Sequence, residues 1–503
     1  DFAERGDAIA LTLYMEDDQE NPDVSDTQSY FDELMSLFPD KKIAIIETAW
    51  SSAGPKGSEE KQAKYVKEIA KVIDKYENRF VFFSWFLLYD LPEQLNREVA
   101  ESFGVPVDTE AGEGFLNWQG SLGLLNNDGG EKLAWNVWKR NMFIHLALPE
   151  SRSFYMGMTP WPYDFTPEAV EETYKIVNEH TDLIAHHFDD GVPWPEALVL
   201  EPYHPNVEEE IDFRVNHLKK DQKVYLALTP ISLFRDGLAG YWAEDSNMEM
   251  PDDWKDKDFD DSDVITAYIN FCRYMIRRFN PDYMAYGIEV NMLAESNPDA
   301  FKKYLVMAEQ VYKILKKENP NLSLFLTIQL DNFVKNKKKQ NEVLRQLLPF
   351  TDYIALSTYP YTEKANPHDL LEDWFSQIRD LAPEKPFAIA ETGFIAENLV
   401  IEKYRVRIQG KEEWQAEYVQ FLLSESNRLN AEFVIWFVSR DYDFGWIRLE
   451  EVGLDELFKL WRDTGLLDGE GKSRKSFKIW NAWLGLPKEM FLNLSCHRSL
   501  CRQ

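Results

Sequence analysis

The stretch Lys385-Pro-Phe-Ala-Ile-Ala-Glu391-Thr-Gly-Phe394 decides the predicted fold, because it is an apolar run that ends on one carboxylate and then turns. A short buried strand with an acid at its C-terminal end is typical of an α/β barrel, in which the strand ends carry the reactive groups. A similar stretch, Lys42-Ile-Ala-Ile-Ile-Glu47-Thr-Ala-Trp50, occurs near the N-terminus. The chain therefore contains this pattern twice.

The composition is that of a large, acidic, globular protein. Its 503 residues are 44% hydrophobic and 14% aromatic, which is enough to bury more than one core and predicts more than one domain. The formal net charge of −32 argues against nucleic acid or an anionic membrane as a partner, because either would need a basic face. Neutral, basic or sugar-like ligands stay open, and nothing in the composition predicts the oligomeric state.

Cysteines and apolar runs add little about the cellular compartment. Cys272, Cys496 and Cys501 cannot build a disulfide framework. There is no signal peptide and no apolar run long enough to span a bilayer, so we expect no membrane insertion. The chain starts at Asp1 without an initiator Met, so any targeting segment is expected upstream.

Hydrophobic periodicity predicts two series of alternating strands and helices, hence parallel sheets covered by helices. The first series, over 1–148, has only three strands and is predicted to be a partial barrel. The second, over 149–488, has eight strands and is predicted to be a complete (β/α)8 barrel, followed by an irregular tail at 489–503. The first series has strands at 7–14, 43–47 and 80–86 and helices at 30–37, 59–76 and 131–139. The second has strands at 154–159, 183–187, 224–229, 283–291, 322–330, 353–358, 387–391 and 433–437, with its clearest helices at 167–179, 264–279, 299–318 and 414–428.

The two series match each other in order, which favours an internal duplication. Any two βα units look somewhat alike, but five colinear matches that include a Glu and a Trp are more specific. Residues 1–148 are therefore predicted to be homologous to strands six to eight of the complete barrel. The matches are Gly6–Tyr14 with Thr351–Tyr359, Glu47 with Glu391, Gln62–Val66 with Gln415–Val419, Trp85 with Trp436, and Gly123 with Gly465.

Two glutamates are predicted at the mouth of the complete barrel. The predicted fourth strand reads Tyr286-Gly-Ile-Glu289-Val-Asn291-Met, and strand alternation puts Gly287, Glu289 and Asn291 on one face. The seventh strand ends at Glu391, across the same mouth. Such a pair suits glycoside hydrolysis, in which one carboxylic acid protonates the departing oxygen and the other carboxylate attacks the anomeric carbon.

On these residues, the segment from about 153 to 486 resembles the large clan of retaining (β/α)8 glycoside hydrolases that includes endo-galactanases, cellulases and mannanases. The resemblance implies that Glu289 is the acid/base and Glu391 the nucleophile in cleavage of a β-linked oligo- or polysaccharide, with no cofactor. It also implies that Tyr359 holds the nucleophile and that Trp436 is the platform under the sugar. A secreted or periplasmic location would suit such an enzyme.

One departure from the clan's pattern concerns the residue before the acid/base. The clan usually has Asn there, where it bonds the sugar 2-hydroxyl, and this chain has Ile288. Asn291 is the candidate replacement for that contact. The departure favours the main alternative function, a non-catalytic carbohydrate-binding pseudoenzyme on the same fold.

Other candidate ligands lie at the end of a predicted strand or in the predicted βα loops. His186-His187 suggests a metal site, but neighbouring residues of a strand point to opposite faces, so at most one of them faces the mouth. A metal-dependent barrel hydrolase would want His-x-His on the first strand, where Met156-Gly-Met158 stands, so no metal is predicted. We expect His187 and Asp189 to bind sugar hydroxyls, and Trp161 to stack on a sugar ring or to pack within its loop.

Each assignment also has a structural alternative. Glu289 is alternatively an acid paired with an arginine, and Glu391, Tyr359 and Trp436 are alternatively packing residues at the barrel top. A lyase or enolase-like barrel would need metal-binding carboxylates on the central strands. The third and fifth strands instead end in Leu228-Thr229-Pro230 and Ile328-Gln329-Leu330.

Overall fold

The computed structural model describes residues 6–15, 23–54, 56–76, 79–138, 148–370 and 373–489. Contacts divide the chain into two compact units, Asp1–Ala147 (unit 1) and Leu148–Gln503 (unit 2). Cys496, Cys501, the end of the helix predicted at 131–139 and nearly all of the tail predicted at 489–503 lie outside the described residues.

Unit 1 is a three-stranded parallel sheet with helices packed on it. The helices bury one face of the sheet around Phe31, Ile43, Ile45 and Ile69. Other apolar side chains of the sheet are exposed: Ile46 is 47% exposed and Phe82 is 49% exposed. The strands are β1 (Ala8–Leu13), β2 (Lys42–Thr48) and β3 (Phe80–Trp85), in that order across the sheet, and the helices include Thr27–Leu37, Glu59–Lys75, Glu93–Ser102 and Glu110–Gly120.

Unit 2 is the predicted (β/α)8 barrel. Its parallel sheet has the order β8-β7-β6-β5-β4-β14-β11-β10-β9, and a separate antiparallel pair is formed by β12 and β13. β8 and β9 are the two halves of one stretch interrupted only at Leu326, so the sheet begins and ends on the same piece of chain and closes with eight strands. The strands are β4 (Tyr155–Met158), β5 (Leu183–Phe188), β6 (Lys223–Leu228), β7 (Tyr283–Ala285), β8 (Ser323–Phe325), β9 (Thr327–Gln329), β10 (Ile354–Thr358), β11 (Phe387–Thr392), β12 (Leu399–Ile401), β13 (Val406–Ile408) and β14 (Ala431–Trp436).

Local signals place the barrel helices close to their predicted bounds. Thr166 and Asn297 each accept a backbone hydrogen bond at a helix start, with Pro167 and Pro298 at the first helical position. No helix in the described ranges is long and apolar enough to cross a membrane. The helices of unit 2 are Pro167–Glu179, Trp194–Val199, Pro205–Asn216, Ser262–Phe279, Val290–Ser296, Pro298–Glu318, Leu330–Lys335, Lys337–Leu347, Glu412–Arg428, Asp443–Glu451 and Lys475–Leu484.

Aromatic side chains fill the barrel interior below the strand ends. The rings of Tyr225, Phe325 and Phe433 lie 5.2 to 6.0 Å apart and are fully or almost fully buried. At Gly157 of β4, a Cβ atom would lie 2.6 Å from the Ile435 side chain, so this position has no room for a larger residue. A packed interior leaves the C-terminal strand ends as the place for a site.

Each unit contains a polar network of the same kind, behind the strand that carries Glu47 in unit 1 or Glu391 in unit 2. A buried glutamine side chain, Gln62 in unit 1 and Gln415 in unit 2, donates through Nε2 to several main-chain carbonyls at 2.9 to 3.5 Å. A Tyr–Thr hydroxyl pair lies beside each one. The hydroxyl pairs are Tyr65 with Thr48 at 2.8 Å and Tyr418 with Thr392 at 2.6 Å. The carbonyls that accept from Gln62 include those of Trp50 and Gly123. Those that accept from Gln415 belong to Phe394, Thr464 and Gly465.

We expect Gln415→Leu to lower the free energy of unfolding by about 2–4 kcal/mol, because buried carbonyls lose their donor and each such loss costs about 1–3 kcal/mol before relaxation. Gln62→Leu is the matched variant in unit 1. Urea unfolding measures the loss, and hydrogen exchange assigns it to a unit. A loss below about 0.5 kcal/mol for Gln415→Leu would contradict the structural role, since that is the range of an ordinary surface substitution.

Candidate active site

Glu391 is the second-last residue of β11, at the barrel mouth, where both of its carboxylate oxygens are held. Tyr359 donates its hydroxyl to Oε1 at 2.6 Å, and Nδ1 of His187 lies 3.0 Å from Oε2. The pairing of β10 with β11 shifts register just before Glu391, and such a bulge re-aims a side chain. The Glu391 side chain is 16% exposed, so it faces the mouth from a largely enclosed position.

The surroundings favour the ionised form of Glu391. Burial raises the pKa of its carboxyl, but the hydrogen bond and positive charge of His187, together with the Tyr359 hydroxyl, outweigh burial and bring the pKa below its ordinary value. Burial lowers the pKa of His187, but its two carboxylate partners raise it to about 10. At neutral pH, Glu391 is a carboxylate and His187 is an imidazolium.

Glu289 lies past the end of β7, at a left-handed backbone position with a φ of 49°. That conformation costs roughly 1–2 kcal/mol for a residue with a Cβ and is concentrated at functional sites. The Glu289 backbone N–H donates to Oγ1 of Thr327 at 2.8 Å, which holds the turn. Its side chain accepts from Oγ of Ser357 at 2.8 Å and from Nε of Arg235 at 3.3 Å.

Glu289 is biased toward its protonated form. Burial raises the pKa of its carboxyl most, and the negative charge of Glu391 raises it further. Arg235 and Ser357 lower the pKa, but the net displacement is upward. The pKa values of the two carboxyls are thus displaced in opposite directions, as an acid and a carboxylate with separate tasks require.

A chain of hydrogen bonds joins the two carboxylates. From Glu391 it passes to His187, whose Nε2 lies 3.0 Å from Oδ2 of Asp189. Asp189 accepts a two-pronged bond from Arg235, with Nη1–Oδ1 and Nη2–Oδ2 both at 2.9 Å, and Arg235 reaches Glu289. Burial raises the pKa of Asp189, but Arg235 and His187 outweigh it, so the pKa lies well below its ordinary value.

His187 and Asp189 both lie at the mouth, where their side chains are hydrogen-bonded to charged neighbours. His186 points the other way and is fully buried beside the rings of Tyr174 and Phe279, so only one histidine of the pair faces the mouth, as expected for a strand. Among the described residues, no group of three or more His, Cys, Asp or Glu side chains is arranged to hold a metal ion.

Arg235 was not predicted from the sequence. It lies in the loop after β6 at another left-handed position, with a φ of 57°, and its carbonyl accepts from the Ser296 hydroxyl. Its side chain is only 8% exposed. The available signal was its place in a loop that follows a barrel strand, which does not by itself separate it from other loop residues.

The prediction that Asn291 shares the face of Glu289 is wrong. β7 ends at Ala285, and Asn291 lies in the short helix Val290–Ser296 with its side chain fully buried. Its amide donates to Gln329 O and to Gln340 Oε1, both at 3.0 Å, and its oxygen accepts from Gln329 N at 2.8 Å. Asn291 therefore fixes the end of β9 and does not replace the missing Asn at Ile288.

Trp436 is likewise not at the mouth, so the predicted platform role does not fit its position. Its side chain is fully buried, its Nε1 donates to Thr464 O at 2.9 Å, and its ring packs 6.1 Å from that of Tyr418. Consecutive residues of a strand face opposite ways, and Trp436 faces the outer helices.

Other aromatic rings do reach the mouth. Phe437, one residue beyond Trp436, is half-buried and lies 6.1 Å from the ring of Trp161 and 6.5 Å from that of Trp461. Trp461 in turn lies 5.8 Å from Tyr359, which bonds Glu391. Trp161 thus belongs to an aromatic wall that ends at Tyr359, the hydrogen-bond partner of Glu391.

A cavity of about 380 Å³ opens beside Arg235, which contacts Glu289. Asp331 in its wall is 2% exposed and accepts from the backbone N–H of Tyr359 at 3.1 Å. Burial raises the pKa of Asp331 to about 6. The cavity is lined by Phe234, Arg235, Met292, Glu295, Ser296, Gln329, Asp331, Asn332, Lys335, Thr362 and Glu363.

Comparisons with known proteins find similar folds. No protein-family model matches the sequence, and no curated protein matches it. A GH53 catalytic domain from Ignisphaera aggregans matches with 15% identity and a TM-score of 0.44, over 67% of this chain and 98% of its own. A GH5_18 protein from Streptomyces cattleya in complex with GlcNAc matches with 15% identity and a TM-score of 0.47, over 66% and 80%. The exo-beta-1,4-mannosidase Op5Man5 from Opitutaceae bacterium strain TAV5 matches with 11% identity and a TM-score of 0.46, over 66% and 59%. These neighbours are (β/α)8 glycosidases, and at such identities the similarity concerns the fold alone.

Proposed function

We propose that unit 2 is a retaining glycoside hydrolase that cleaves a β-linked oligo- or polysaccharide by double displacement, with Glu391 as nucleophile and Glu289 as acid/base. The supporting observation is the pair of carboxyls, one near the end of β11 and one in the turn that follows β7. They share one mouth, and their environments bias Glu391 toward the ionised form and Glu289 toward the protonated form. A secreted or periplasmic location goes with this proposal.

In the first step, the Glu391 carboxylate attacks the anomeric carbon while Glu289 gives its proton to the glycosidic oxygen, which leaves with the aglycone. The product is an ester between Glu391 and the sugar. The ester carries no charge, so it no longer raises the pKa of Glu289. Glu289 then takes a proton from water, and the resulting hydroxide displaces Glu391 and releases the sugar with its original anomeric configuration.

Tyr359 and His187 support this chemistry by holding the nucleophile. Their contacts at 2.6 and 3.0 Å occupy both oxygens of Glu391 and fix its direction. They also favour its charge, which makes Glu391 a better leaving group in the second step. Neither contact needs to break for an attack through one of the carboxylate's remaining lone pairs.

A carbohydrate-binding pseudoenzyme is the second candidate, and two observations favour it. Glu289 is paired with Arg235, the arrangement expected of a structural acid. Ile288, which stands where the clan has Asn, is 3% exposed among interior apolar residues and has no polar side-chain atom for a sugar. Such a protein would bind sugar without forming a covalent intermediate.

Intact-mass analysis after incubation with a panel of 2-deoxy-2-fluoro glycosides tests both candidates. We expect one sugar to remain attached, and peptide mapping to place it on Glu391, because the fluorine slows both formation and hydrolysis of the ester while an activated leaving group on the reagent speeds formation alone. The sugar that reacts identifies the glycone. If no glycoside forms an adduct while calorimetry still detects binding, the pseudoenzyme is the better description.

We infer that unit 1 is the homologue of the last three βα units of the barrel and is catalytically silent by itself. Its Glu47 accepts from the Tyr14 hydroxyl as Glu391 accepts from Tyr359, and Trp85 donates to Leu122 O at 3.0 Å as Trp436 donates to Thr464 O. Its three strands, however, provide no counterpart of Glu289. Without an acid/base, the mechanism above cannot run.

A further inference from the structure

Arg235 contacts two carboxylates unequally, and the geometry explains why. Its two terminal nitrogens make a parallel pair of bonds to Asp189, the strong two-pronged form of an arginine–carboxylate contact. Nη1 also donates to the Ser232 carbonyl at 3.2 Å, and the contact with Glu289 is made by Nε alone, at the longer distance of 3.3 Å. Asp189 thereby has the two-pronged contact with the guanidinium, and Glu289 has a single, longer one.

Asp189 also bonds the second cation of the site, the imidazolium of His187. Its Oδ2 lies 3.0 Å from His187 Nε2, which orients the ring so that Nδ1 meets Glu391 at 3.0 Å. The side chains involved are all less than a quarter exposed, so these bonds are little weakened by water. One carboxylate thus sits between the two cations and is bonded to both.

We propose that Asp189 is a positioning residue that divides the two cations between the two carboxylates, giving the imidazolium to Glu391 and withholding most of the guanidinium from Glu289. The assignment of tasks to these carboxylates rests on the proposed function. The division has a chemical purpose there, because an acid/base in a full ion pair with arginine would not hold the proton that it must donate.

Several other groups also influence the pKa of Glu289, so they must stay constant between the variants that are compared. Glu391 and Asp331 favour the protonated form by their negative charge, whereas the Ser357 hydroxyl favours the ionised form. None of these groups is changed in the variants below. The charged and titratable groups around Glu289 are Arg235 from the loop after β6, His187 and Asp189 from β5 and its loop, Asp331 after β9, Tyr359 after β10 and Glu391 from β11.

Two single variants are expected to move the pKa of Glu289 in opposite directions. In Asp189→Asn the two-pronged bond to Arg235 is lost, so the guanidinium is free to pair with Glu289, and a nearby negative charge disappears. Both changes favour the ionised form of Glu289, so its pKa should fall by about 1–2 units. In Arg235→Gln the cation is lost and the charge of Asp189 stays, so the pKa should rise by a similar amount. The double variant should lie between the two.

The primary measurement is a ¹³C NMR titration of glutamate side-chain carboxyls in the full chain, with Glu289→Gln to assign the resonance. It needs no turnover. The second measurement is the alkaline limb of kcat/KM on an unactivated glycoside, which reports loss of the Glu289 proton in the free enzyme and should move with the NMR value. Circular dichroism checks that each variant is folded.

Opposite displacements in the two single variants would support the proposal, because a general loss of structure would not produce them. An unchanged or raised pKa of Glu289 in Asp189→Asn would overturn it, and so would a lowered pKa in Arg235→Gln if the first variant does not fold. If the wild type turns over no glycoside and forms no fluoro-sugar adduct, the proposed function fails, and the NMR titration still decides the role of Asp189 separately.

Discussion

Glu391→Gln should lower kcat/KM by at least about 10⁴-fold on every glycoside that the wild type cleaves, the scale seen when a covalent nucleophile is removed. An amide cannot form the glycosyl ester, and it offers no negative charge to the positive charge that develops at the anomeric carbon. The amide also places N–H donors near His187, which already lies 3.0 Å from Oε2. The variant therefore loses both the proposed nucleophile and part of the hydrogen bonding that holds it.

The chain contains a matched control for this loss. Glu47 stands at the same place in unit 1 and accepts from Tyr14 in the same way, so Glu47→Gln makes the same chemical change outside the proposed site. We expect Glu47→Gln to keep wild-type activity. Adding azide to Glu391→Ala should restore turnover of activated glycosides and yield a glycosyl azide of inverted configuration, because the small anion attacks from the side that the carboxylate occupied. Near-normal activity of Glu391→Gln would remove Glu391 from the mechanism.

The barrel could be predicted from sequence because its strands are short apolar runs with strong local patterns. Phe387–Thr392 is a largely buried strand bounded by Pro386 and Gly393, and its bounds lie within one residue of the strand predicted at 387–391. The helix at 167–179 has a capping Thr166, a Pro at its first position and an apolar face. Such signals are local, and local signals can be detected in one sequence.

The errors arose where the chain leaves regular geometry at the mouth. The residues Tyr286 to Val290 continue the apolar pattern of β7, but the backbone turns at Glu289, and a helix starts one residue later. Alternation therefore stopped being a guide before it reached Asn291. At Trp436 the alternation of side chains does hold. The sugar platform was assigned to Trp436 because it is a tryptophan, but the direction of the strand makes Phe437, the next residue, the one that faces the mouth.

Arg235 shows the limit of such reasoning. Its contacts with Asp189 and Glu289 join residues 46 and 54 positions away in sequence, from three different strand ends. No periodicity connects them, and the loop that carries Arg235 adopts a left-handed backbone for which arginine has no preference. The cation that most directly faces the proposed acid could be found only from the folded chain.

Glu289→Ala should separate the two halves of the proposed acid/base role. On an unactivated glycoside we expect kcat/KM to fall by about 10³–10⁴-fold, because the departing alkoxide no longer receives a proton. On a 2,4-dinitrophenyl glycoside the leaving group needs no proton, so the first step should keep nearly its wild-type rate. The second step, which needs Glu289 as base toward water, should be slow. Stopped-flow mixing should therefore show a rapid burst of dinitrophenolate followed by slow turnover.

Azide sharpens this test, because it attacks the glycosyl ester without needing a base. It should speed the slow phase of Glu289→Ala on the dinitrophenyl glycoside and give a glycosyl azide of retained configuration, the opposite of the product expected from Glu391→Ala. Ser357→Ala, which removes only the 2.8 Å bond to Glu289, is the matched mild variant and should show no burst. An equal loss on activated and unactivated substrates would mean that Glu289 supports the site without transferring a proton, as its pairing with Arg235 would do in a pseudoenzyme.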